Sequence, residues 1–316
     1  MLLSAGGFAR YRTETHIFNT LAPRFGGLRT GADREAALHV WLASDCHTLS
    51  GLSESEVRAA IRAEARNAGD FLRLVMELMV ARQGAARWAE TTPAHILHMC
   101  EIRDQIPEAL FLHVIRDGRD VAASLEKQRW IRPMAFDRDR PILAAAAYWD
   151  WIVRRGRAEG GRVGDAYCEV RYDALVDAPE ATLRALEPFV GQRLDWTEIL
   201  RVRIGSVGKP NTSFPGAKGD FGSRWRTQLS AEDGRDIDAM LAPTLRALGF
   251  ESVAARSSPG IVARRLAYAT RFAARDWLKR YAPTGRRSTS IAHFAAGSML
   301  IDDEKLAGVQ GAADMA

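Results

Sequence analysis

The sequence predicts an α/β fold in which a mostly parallel central sheet is flanked by helices. Short apolar runs alternate with longer segments of helical periodicity, which is typical of strand–helix–strand units. One apolar run, residues 111–115, lies between Pro107 and Arg116 and indicates a short buried strand. Gly118 then provides a turn, and Asp120 is expected to cap the helix that follows.

The first half of the chain is predicted to be mainly helical. Ser53 and Glu56 form a capping box, Asp70 is expected to cap an apolar helix, and Pro93 suits a first helical position. In order, the predicted elements are a helical turn at 2–5, a strand at 8–11, a helix at 33–43, helices that start at 53 and 70, a strand at 87–89 and a helix to 103.

The second half continues the alternation after the strand at 111–115. The predicted elements are helices at 141–157, 179–190 and 230–248, with a strand at 167–172. Residues 204–224 are rich in Gly, Pro, Ser and Asn and predict a long loop, and loops of that length are usually functional or disordered. We expect one domain over 1–255, followed by a tail over 256–316.

The charge distribution limits the partners that the chain can have. The 316 residues carry a net charge of +5, but residues 256–287 hold nine Lys or Arg and one Asp. Since residues 288–316 are acidic, residues 1–255 are neutral, which argues against a nucleic-acid-binding domain. Cys46, Cys100 and Cys168 show no paired spacing, so neither a disulfide framework nor a metal site is predicted.

The tail contains a predicted basic amphipathic helix over 262–281. Its apolar side chains fall near helical spacing, at Val262, Leu266, Ala269, Ala273, Trp277 and Tyr281. Such a helix can lie on an anionic membrane surface or bind an acidic partner. Alternatively its apolar stripe packs on the parent domain or on a second subunit, which is the option we favour. We expect a cytoplasmic protein, because no apolar stretch is long enough to span a bilayer and no signal peptide is evident.

An anion site is predicted where the strand at 111–115 ends. Arg116 stands at the carboxyl end of that strand and faces a helix start with the hydroxyl of Ser124 nearby, which suits a phosphate. In an open α/β sheet, ligands bind at this edge. The alternative is an ion-pair ladder on the surface, formed by Arg116, Asp117, Arg119 and Asp120.

The segment HVIRDGRDVAASL, residues 113–125, resembles the 3′-phosphate-binding strand–loop–helix of sulfotransferases that use 3′-phosphoadenosine 5′-phosphosulfate (PAPS). The resemblance implies a sulfotransferase fold of the P-loop nucleoside-triphosphate-hydrolase type, with Arg116 and Ser124 on the 3′-phosphate. The segment VRYDAL is similar to another family strand, which implies that Tyr172 lines the adenine pocket.

The long loop at 204–224 resembles the family's cofactor lid. That resemblance implies that Ser206 and Arg224, with Arg226 as a further candidate, close over the 3′-phosphate of the nucleotide. The similar segments recur in the family's order over about residues 1–250.

Glu14, in YRTETHIF, stands where related bacterial and tyrosylprotein-like sulfotransferases carry a Glu-Thr pair. The resemblance implies that Glu14 takes the proton of the acceptor hydroxyl, whereas its sequence alone equally allows a solvated carboxylate. His16 is expected to share its strand face. Glu90 and His95 are further acid/base candidates, although a structural carboxylate is favoured for Glu90. Thr91 occupies the place of a family lysine, so no catalytic lysine is carried over.

These features predict transfer of a sulfuryl group from PAPS to the hydroxyl of a small molecule, saccharide, lipid or peptide. The alternative is a non-catalytic remnant that binds a nucleotide or a partner. A P-loop kinase is disfavoured because no G-x-x-x-x-G-K-[S/T] occurs. The family's Pro-Arg-Ser-Gly-Thr phosphosulfate loop has no copy here, and Ser50-Gly51 is its nearest counterpart. We expect residues upstream of Met1, or else a shortened paralogue, and little activity from residues 1–316 by themselves.

Overall fold

The structure is a computed structural model that describes residues 1–11, 13–202, 204, 225–254 and 257–281. The chain divides into two compact units. The first unit comprises residues 1–110, 180–214 and 279–316, and the second comprises residues 111–179 and 215–278.

The described residues are predominantly helical. The α-helices are α1 Ala22–Arg24, α2 Gly31–Leu42, α3 Asp45–Ser50, α4 Glu54–Glu64, α5 Ala68–Gln83, α6 Met99–Gln105, α7 Gly118–Lys127, α8 Pro141–Val163, α9 Tyr172–Asp177, α10 Pro179–Val190, α11 Trp196–Val202, α12 Trp225–Gln228, α13 Ala231–Ala247 and α14 Pro259–Tyr281. The strands are β1 Phe111–Ile115 and β2 Tyr167–Arg171. Short 3₁₀ or π turns lie at Leu2–Ala5, Ile17–Leu21, Gly26–Leu28, Pro93–Leu97, Ala135–Asp137 and Gly164–Ala166.

Strands β1 and β2 pair in parallel, in a register that joins Phe111 to Tyr167 and Ile115 to Arg171. The predicted α/β class with a parallel sheet is therefore confirmed, as a helix-rich fold whose described residues form a two-stranded sheet. Val114 is 51% exposed, so β1 is half-buried rather than fully buried as expected.

The two strands predicted near residues 8–11 and 87–89 are wrong as strands. A single parallel bridge joins Phe8 to Arg87 within the described residues. One bridge gives too few ladder hydrogen bonds to extend a strand, and both segments continue as irregular chain.

Helix starts follow the sequence closely where a side chain can cap them. The hydroxyl of Ser53 accepts from the backbone of Glu56 in the predicted capping box, and Ser230 caps α13. Helix α5 is instead capped by Asn67, whose side chain accepts from the Asp70 amide, so the predicted cap at Asp70 is wrong. A side chain caps the amide two or three residues ahead of it, and Asp70 already lies inside the helix.

The first unit has an aromatic core beneath α2 and α5. Trp41 and Phe71 are fully buried with ring centroids 6.3 Å apart, and Met76 on α5 is also fully buried. The hydroxyl of Tyr11 donates to the backbone carbonyl of Cys46 over 3.0 Å. That hydrogen bond fixes the chain just before the segment that carries the predicted base.

The second unit is built around α8, which packs against α7 and α13. Leu143, Ala146 and Leu241 are completely buried along these contacts. Helix α8 runs six residues past its predicted end at 157 because neither Gly160 nor Gly161 interrupts its hydrogen bonds.

Helix α14 is the amphipathic helix that the tail sequence predicts, and it packs on the second unit. Tyr268 and Phe272 are buried with their rings stacked 5.8 Å apart. Two nitrogens of Arg265 each donate to the buried carboxylate of Asp150 over 2.9 Å. The packed face differs from the predicted apolar stripe. No helix in the described ranges is both long enough and apolar enough to cross a membrane.

Gly118 allows α7 and α8 to approach closely, and a substitution there tests this packing. A Cβ at Gly118 would lie 2.4 Å from the Trp149 ring, whereas a Cβ at Gly161 would meet nothing within 4 Å. We expect Gly118→Ala to lower the free energy of unfolding by about 1–3 kcal/mol because the ring must move. Gly161→Ala should leave it unchanged or raise it by about 1 kcal/mol through helix propensity. Urea unfolding of the two variants measures both, and equal effects would contradict this packing.

Candidate functional site

Arg116 and Tyr172 lie side by side because their strands end in register. Ile115 pairs with Arg171, so the next residue of each chain segment emerges at the same edge of the sheet. The Arg116 guanidinium carbon lies 5.2 Å from the centroid of the Tyr172 ring, at a distance suited to a cation–π contact. The structure thus brings together two of the residues predicted to hold the nucleotide.

Ser124 lies on α7, almost two turns after its first residue, Gly118. Residues four apart share one face of a helix, so Ser124 lies on the same face as Asp120. One oxygen of Asp120 accepts from Arg116 over 3.1 Å. Ser124 therefore belongs to the face of α7 that contacts Arg116.

The start of α7 is held by a buried network of charges. Asp117 caps the helix by accepting from the Arg119 amide, so the predicted cap at Asp120 is wrong. The Arg119 guanidinium donates to both oxygens of Asp117, over 3.0 and 2.6 Å, and to Asp238 over 2.7 Å. The alternative of an ion-pair ladder is therefore correct in its pairs, Arg119 with Asp117 and Arg116 with Asp120, but wrong in placing them on the surface, because Asp117, Arg119 and Asp120 are buried.

Because Asp117 caps α7, the carboxylate of Asp120 can accept hydrogen bonds from groups outside the helix. Its carboxylate is buried and accepts from Arg116 with one oxygen and from the Trp225 amide, over 2.8 Å, with the other. Burial raises the pKa of Asp120 above its usual range, and the Asp117 carboxylate adds to the rise, while the Trp225 amide and Arg116 oppose it. Asp120 thus connects Arg116, the residue predicted to bind a phosphate, to the start of α12.

Ser206 and Arg224 lie outside the described residues. Trp225, which directly follows Arg224, is described. The guanidinium carbon of Arg119 lies 4.2 Å from the centroid of its indole ring, and that of Arg226 lies 4.6 Å from it. Arg226 also approaches the Glu251 carboxylate at 3.8 Å.

Glu14 lies in the first unit, in contact with His16. A Glu14 carboxylate oxygen lies 2.9 Å from Nε2 of His16, and both side chains are about one-fifth exposed. The contact does not come from a strand face as expected. His16 adopts a left-handed backbone with φ of 50°, so the chain is not an extended strand at this residue. Nδ1 of the same ring lies 3.1 Å from the Asn19 amide nitrogen.

Glu90 is buried in the same unit and is surrounded by donors. It accepts from the hydroxyl of Thr15 over 2.8 Å, from Nδ1 of His95 over 3.1 Å and from the hydroxyl of Thr92. Burial by itself would raise the pKa of Glu90, but His95 and the two hydroxyls outweigh burial and lower the pKa to about 2. The Thr92 hydroxyl donates to Glu90 and makes no capping hydrogen bond to the turn that follows it. The single helix predicted from 93 to 103 is wrong, since the structure has two elements there, Pro93–Leu97 and α6.

These environments give the two carboxylates different chemistry. A carboxylate with a pKa near 2 is a poor base at neutral pH, and the oxygens of Glu90 are already occupied by donors. Each carboxylate has a histidine beside it, but the side chain of Glu14 is 22% exposed and that of Glu90 only 10%. Of the two acidic candidates, Glu14 is therefore better suited to accept a proton.

Sequence reasoning missed the residues that act across long separations. Asp238 is 119 positions from its partner Arg119, and the backbone amide of Trp225 is 105 positions from Asp120. One feature of the sequence does point to Asp238. It is a charged residue among apolar neighbours in the predicted helix, with Ile237 before it and Met240 two positions after it. Such a residue requires a buried partner, but the sequence does not identify the partner.

Comparison with known proteins identifies the family. A sequence profile described as "Sulfotransferase family" matches residues 14–198, which is more than half of the chain. The protein belongs to the sulfotransferase family.

Two solved structures are similar over most of the chain. One is the sulfotransferase domain from the Synechococcus PCC 7002 olefin synthase, with 19% identity and a TM-score of 0.44, covering 86% of this chain and 88% of that one. Another is the sulfotransferase domain from the curacin biosynthetic pathway, with 14% identity and a TM-score of 0.49, covering 79% and 92%. No curated protein sequence matches the chain.

The buried hydrogen bonds that Glu90 accepts predict how its substitution changes the free energy of unfolding. We expect Glu90→Gln to lower the free energy of unfolding at pH 7 by about 1–3 kcal/mol, because buried donors lose a charged acceptor. The matched control is Glu101→Gln, which removes a half-exposed carboxylate beside His98 and should cost less than about 1 kcal/mol.

The pH dependence of the Glu90 effect has a defined sign. A carboxyl whose pKa in the folded state lies below the unfolded value of 4.5 stabilises the fold above that pH. The stabilisation is lost as the pH falls from about 4.5 towards 2. The difference between wild type and Glu90→Gln should therefore shrink over that range in denaturant titrations. A difference that grows on acidification would contradict the assignment.

Proposed function

We propose that this chain binds PAPS and transfers its sulfuryl group to the hydroxyl of an acceptor molecule. The observation that carries the proposal is the pairing of Arg116 and Tyr172 at the carboxyl edge of the parallel strands. A guanidinium and an aromatic ring in contact at this edge match the phosphate and the base of a nucleotide. Membership of the sulfotransferase family supports the same choice of donor.

In this proposal Arg116 binds the 3′-phosphate of the donor. A guanidinium presents five N–H donors in a planar fork, so it can keep its hydrogen bond to Asp120 while donating to a phosphate. Ser124 supplies a hydroxyl from the same side of α7, and Tyr172 lies against the adenine. Ser206 and Arg224 are proposed to complete the phosphate contacts.

The proposed reaction is an in-line displacement at sulfur. The acceptor oxygen forms a bond to sulfur as the bond from sulfur to the 5′-phosphate oxygen breaks, and adenosine 3′,5′-bisphosphate leaves. Glu14 takes the proton of the acceptor hydroxyl, because a neutral hydroxyl is a weak nucleophile. His16, 2.9 Å from Glu14, orients the carboxylate. The acceptor is a hydroxyl of a small molecule, saccharide, lipid or peptide.

The phosphate assignment predicts a loss of nucleotide affinity in Arg116→Ala. A charge-assisted hydrogen bond contributes about 1.5–3 kcal/mol, so the Kd for adenosine 3′,5′-bisphosphate should rise roughly 10- to 100-fold. Isothermal calorimetry measures the change. The control is Arg157→Ala, which removes an arginine of the same unit that pairs with Glu169 and should leave the affinity unchanged.

Arg116→Ala removes a hydrogen-bond partner of the buried Asp120 and could fail to fold for that reason. A second variant separates this effect from the loss of phosphate binding. Arg116→Lys keeps the charge but loses the planar fork, so its affinity should fall between wild type and alanine. Wild-type affinity in both variants would contradict the assignment of Arg116.

The base assignment predicts that Glu14→Gln slows transfer without weakening nucleotide binding. We expect the residual rate at which residues 1–316 transfer sulfate from radiolabelled PAPS to a panel of alcohols and phenols to fall about 10²–10⁴-fold. The Kd for adenosine 3′,5′-bisphosphate should not change. Glu35→Gln, at a surface carboxylate of the same unit paired with Arg62, is the control. Transfer by Glu14→Gln at the wild-type rate would contradict the assignment of Glu14 as the base. A wild-type chain that binds the bisphosphate but transfers no sulfate at all would favour the non-catalytic alternative.

A further inference from the structure

The short segment that carries Glu14 and His16 is not held by regular secondary structure. Residues 14–16 belong to no helix or strand, and His16 is left-handed, with φ of 50° and ψ of 22°. A residue other than glycine is strained in that region and stays there only where its surroundings hold it. Three side chains, which we call the support cluster, contact the residues on both sides of His16: Glu90, Thr92 and His95.

Thr92 holds the backbone at the strained residue and just before it. Its hydroxyl oxygen accepts from the Thr15 amide over 2.9 Å and from the His16 amide over 3.4 Å. The hydroxyl proton goes to Glu90, so the two lone pairs of the oxygen are left for the two amides. Thr92 is only 5% exposed, so water cannot easily replace it as the acceptor. One buried hydroxyl thus fixes two successive peptide groups.

Glu90 holds the same segment from a second direction. Its Oε1 accepts from the amide of Thr15 over 3.2 Å and from the hydroxyl of Thr15 over 2.8 Å. Its Oε2 lies 3.1 Å from Nδ1 of His95. Burial alone would raise the pKa of Glu90, but His95 and the hydroxyls lower it to about 2, so the acceptor stays ionised at neutral pH.

His95 holds the backbone just after the strained residue. Its Nδ1 faces the Glu90 carboxylate, which can only accept, so Nδ1 carries the proton and Nε2 presents a lone pair. That lone pair accepts from the Phe18 amide over 3.3 Å, and the two rings meet edge to face with centroids 5.5 Å apart. Phe18 belongs to the turn Ile17–Leu21, whose residues are all buried. The support cluster therefore grips the chain on both sides of His16.

The contact between His16 and Glu14 reports whether this grip is effective. Nδ1 of His16 lies 3.1 Å from the Asn19 amide nitrogen, which can only donate, so Nδ1 accepts and Nε2 carries the proton. Nε2 lies 2.9 Å from the Glu14 carboxylate and donates to it. A change in the backbone at His16 would move the ring and break this hydrogen bond.

We propose that the support cluster is a positioning device, which holds the strained backbone so that His16 orients Glu14 on the acceptor hydroxyl. Its members act through the backbone amides of residues 15, 16 and 18. A misplacement of about 1 Å can cost roughly 10²-fold in rate, so the cluster is expected to affect turnover without contacting the donor. This proposal rests on the proposed role of Glu14 as the base.

Thr92→Val tests the proposal, because valine keeps the shape of threonine and removes its hydroxyl. We expect the residual transfer rate of residues 1–316 to fall about 10- to 100-fold with an unchanged Kd for adenosine 3′,5′-bisphosphate. Thr92→Ser restores the hydroxyl and should restore the rate. The control is Ser53→Ala, which removes the capping hydroxyl of α4 in the same unit. It should lower stability but leave the transfer rate unchanged.

A second readout does not depend on turnover. Nuclear magnetic resonance measures the solvent exchange of the Nε2 proton of His16, which is assigned by its loss in His16→Gln. We expect this proton to be protected in wild type, Thr92→Ser and Ser53→Ala, and to lose its protection in Thr92→Val. Circular dichroism confirms that each variant is folded. If Thr92→Val does not fold, Glu90→Gln takes its place, since it weakens the contacts to Thr15 without removing them.

Three outcomes would overturn the proposal. One is a His16 proton that is unprotected in wild type or still protected in Thr92→Val. Another is a Thr92→Val variant that loses this protection yet transfers sulfate at the wild-type rate, although Glu14→Gln is slow. The third is a Ser53→Ala variant that loses as much protection and rate as Thr92→Val, which would attribute both losses to general destabilisation.

Failure of the proposed function has a different signature. If Glu14→Gln transfers sulfate at the wild-type rate, Glu14 is not the base. The protection of the His16 proton in Thr92→Val still shows whether the support cluster holds His16 against Glu14.

Discussion

The buried charges at the start of α7 are the constraint on which the candidate nucleotide site depends. Asp117, Arg119 and Asp238 satisfy one another away from solvent, and removing one member would leave a buried charge unpaired. Their geometry fixes the turn between β1 and α7, and Arg116 is part of that turn. Asp120, no longer needed as a cap, can therefore hold the Arg116 side chain.

In the first unit the carboxylates of Glu14 and Glu90 lie in different environments, and these environments suit them to different roles. Glu90 is surrounded by hydroxyls and a histidine, so its negative charge stabilises the local fold. Glu14 is closer to solvent and lies beside His16, whose left-handed backbone is a strained conformation of the kind found at functional sites. Environment, rather than residue type, separates a structural carboxylate from a candidate base.

The sequence predicted what local physics determines. The strand at 111–115, the capping box at Ser53 and the helix at 179–190 each depend on neighbours within a few residues. The family resemblance assigned Arg116 and Tyr172 to different parts of one nucleotide, and the register of β1 and β2 is what brings the two residues into contact. Long-range partners such as Asp238 could not be found this way. Nor could the packed face of α14, because the helix has two apolar faces and the sequence does not say which one the second unit covers.

The central claim is that the Arg116 guanidinium recognises a phosphate on the ribose of the nucleotide. The most direct measurement compares adenosine 3′,5′-bisphosphate with adenosine 5′-monophosphate by calorimetry, in wild type and in Arg116→Ala. Deleting the ligand phosphate and deleting its partner should be non-additive. We predict that wild type prefers the bisphosphate by at least about tenfold and that Arg116→Ala binds both nucleotides almost equally. A variant that keeps the full preference would contradict the claim.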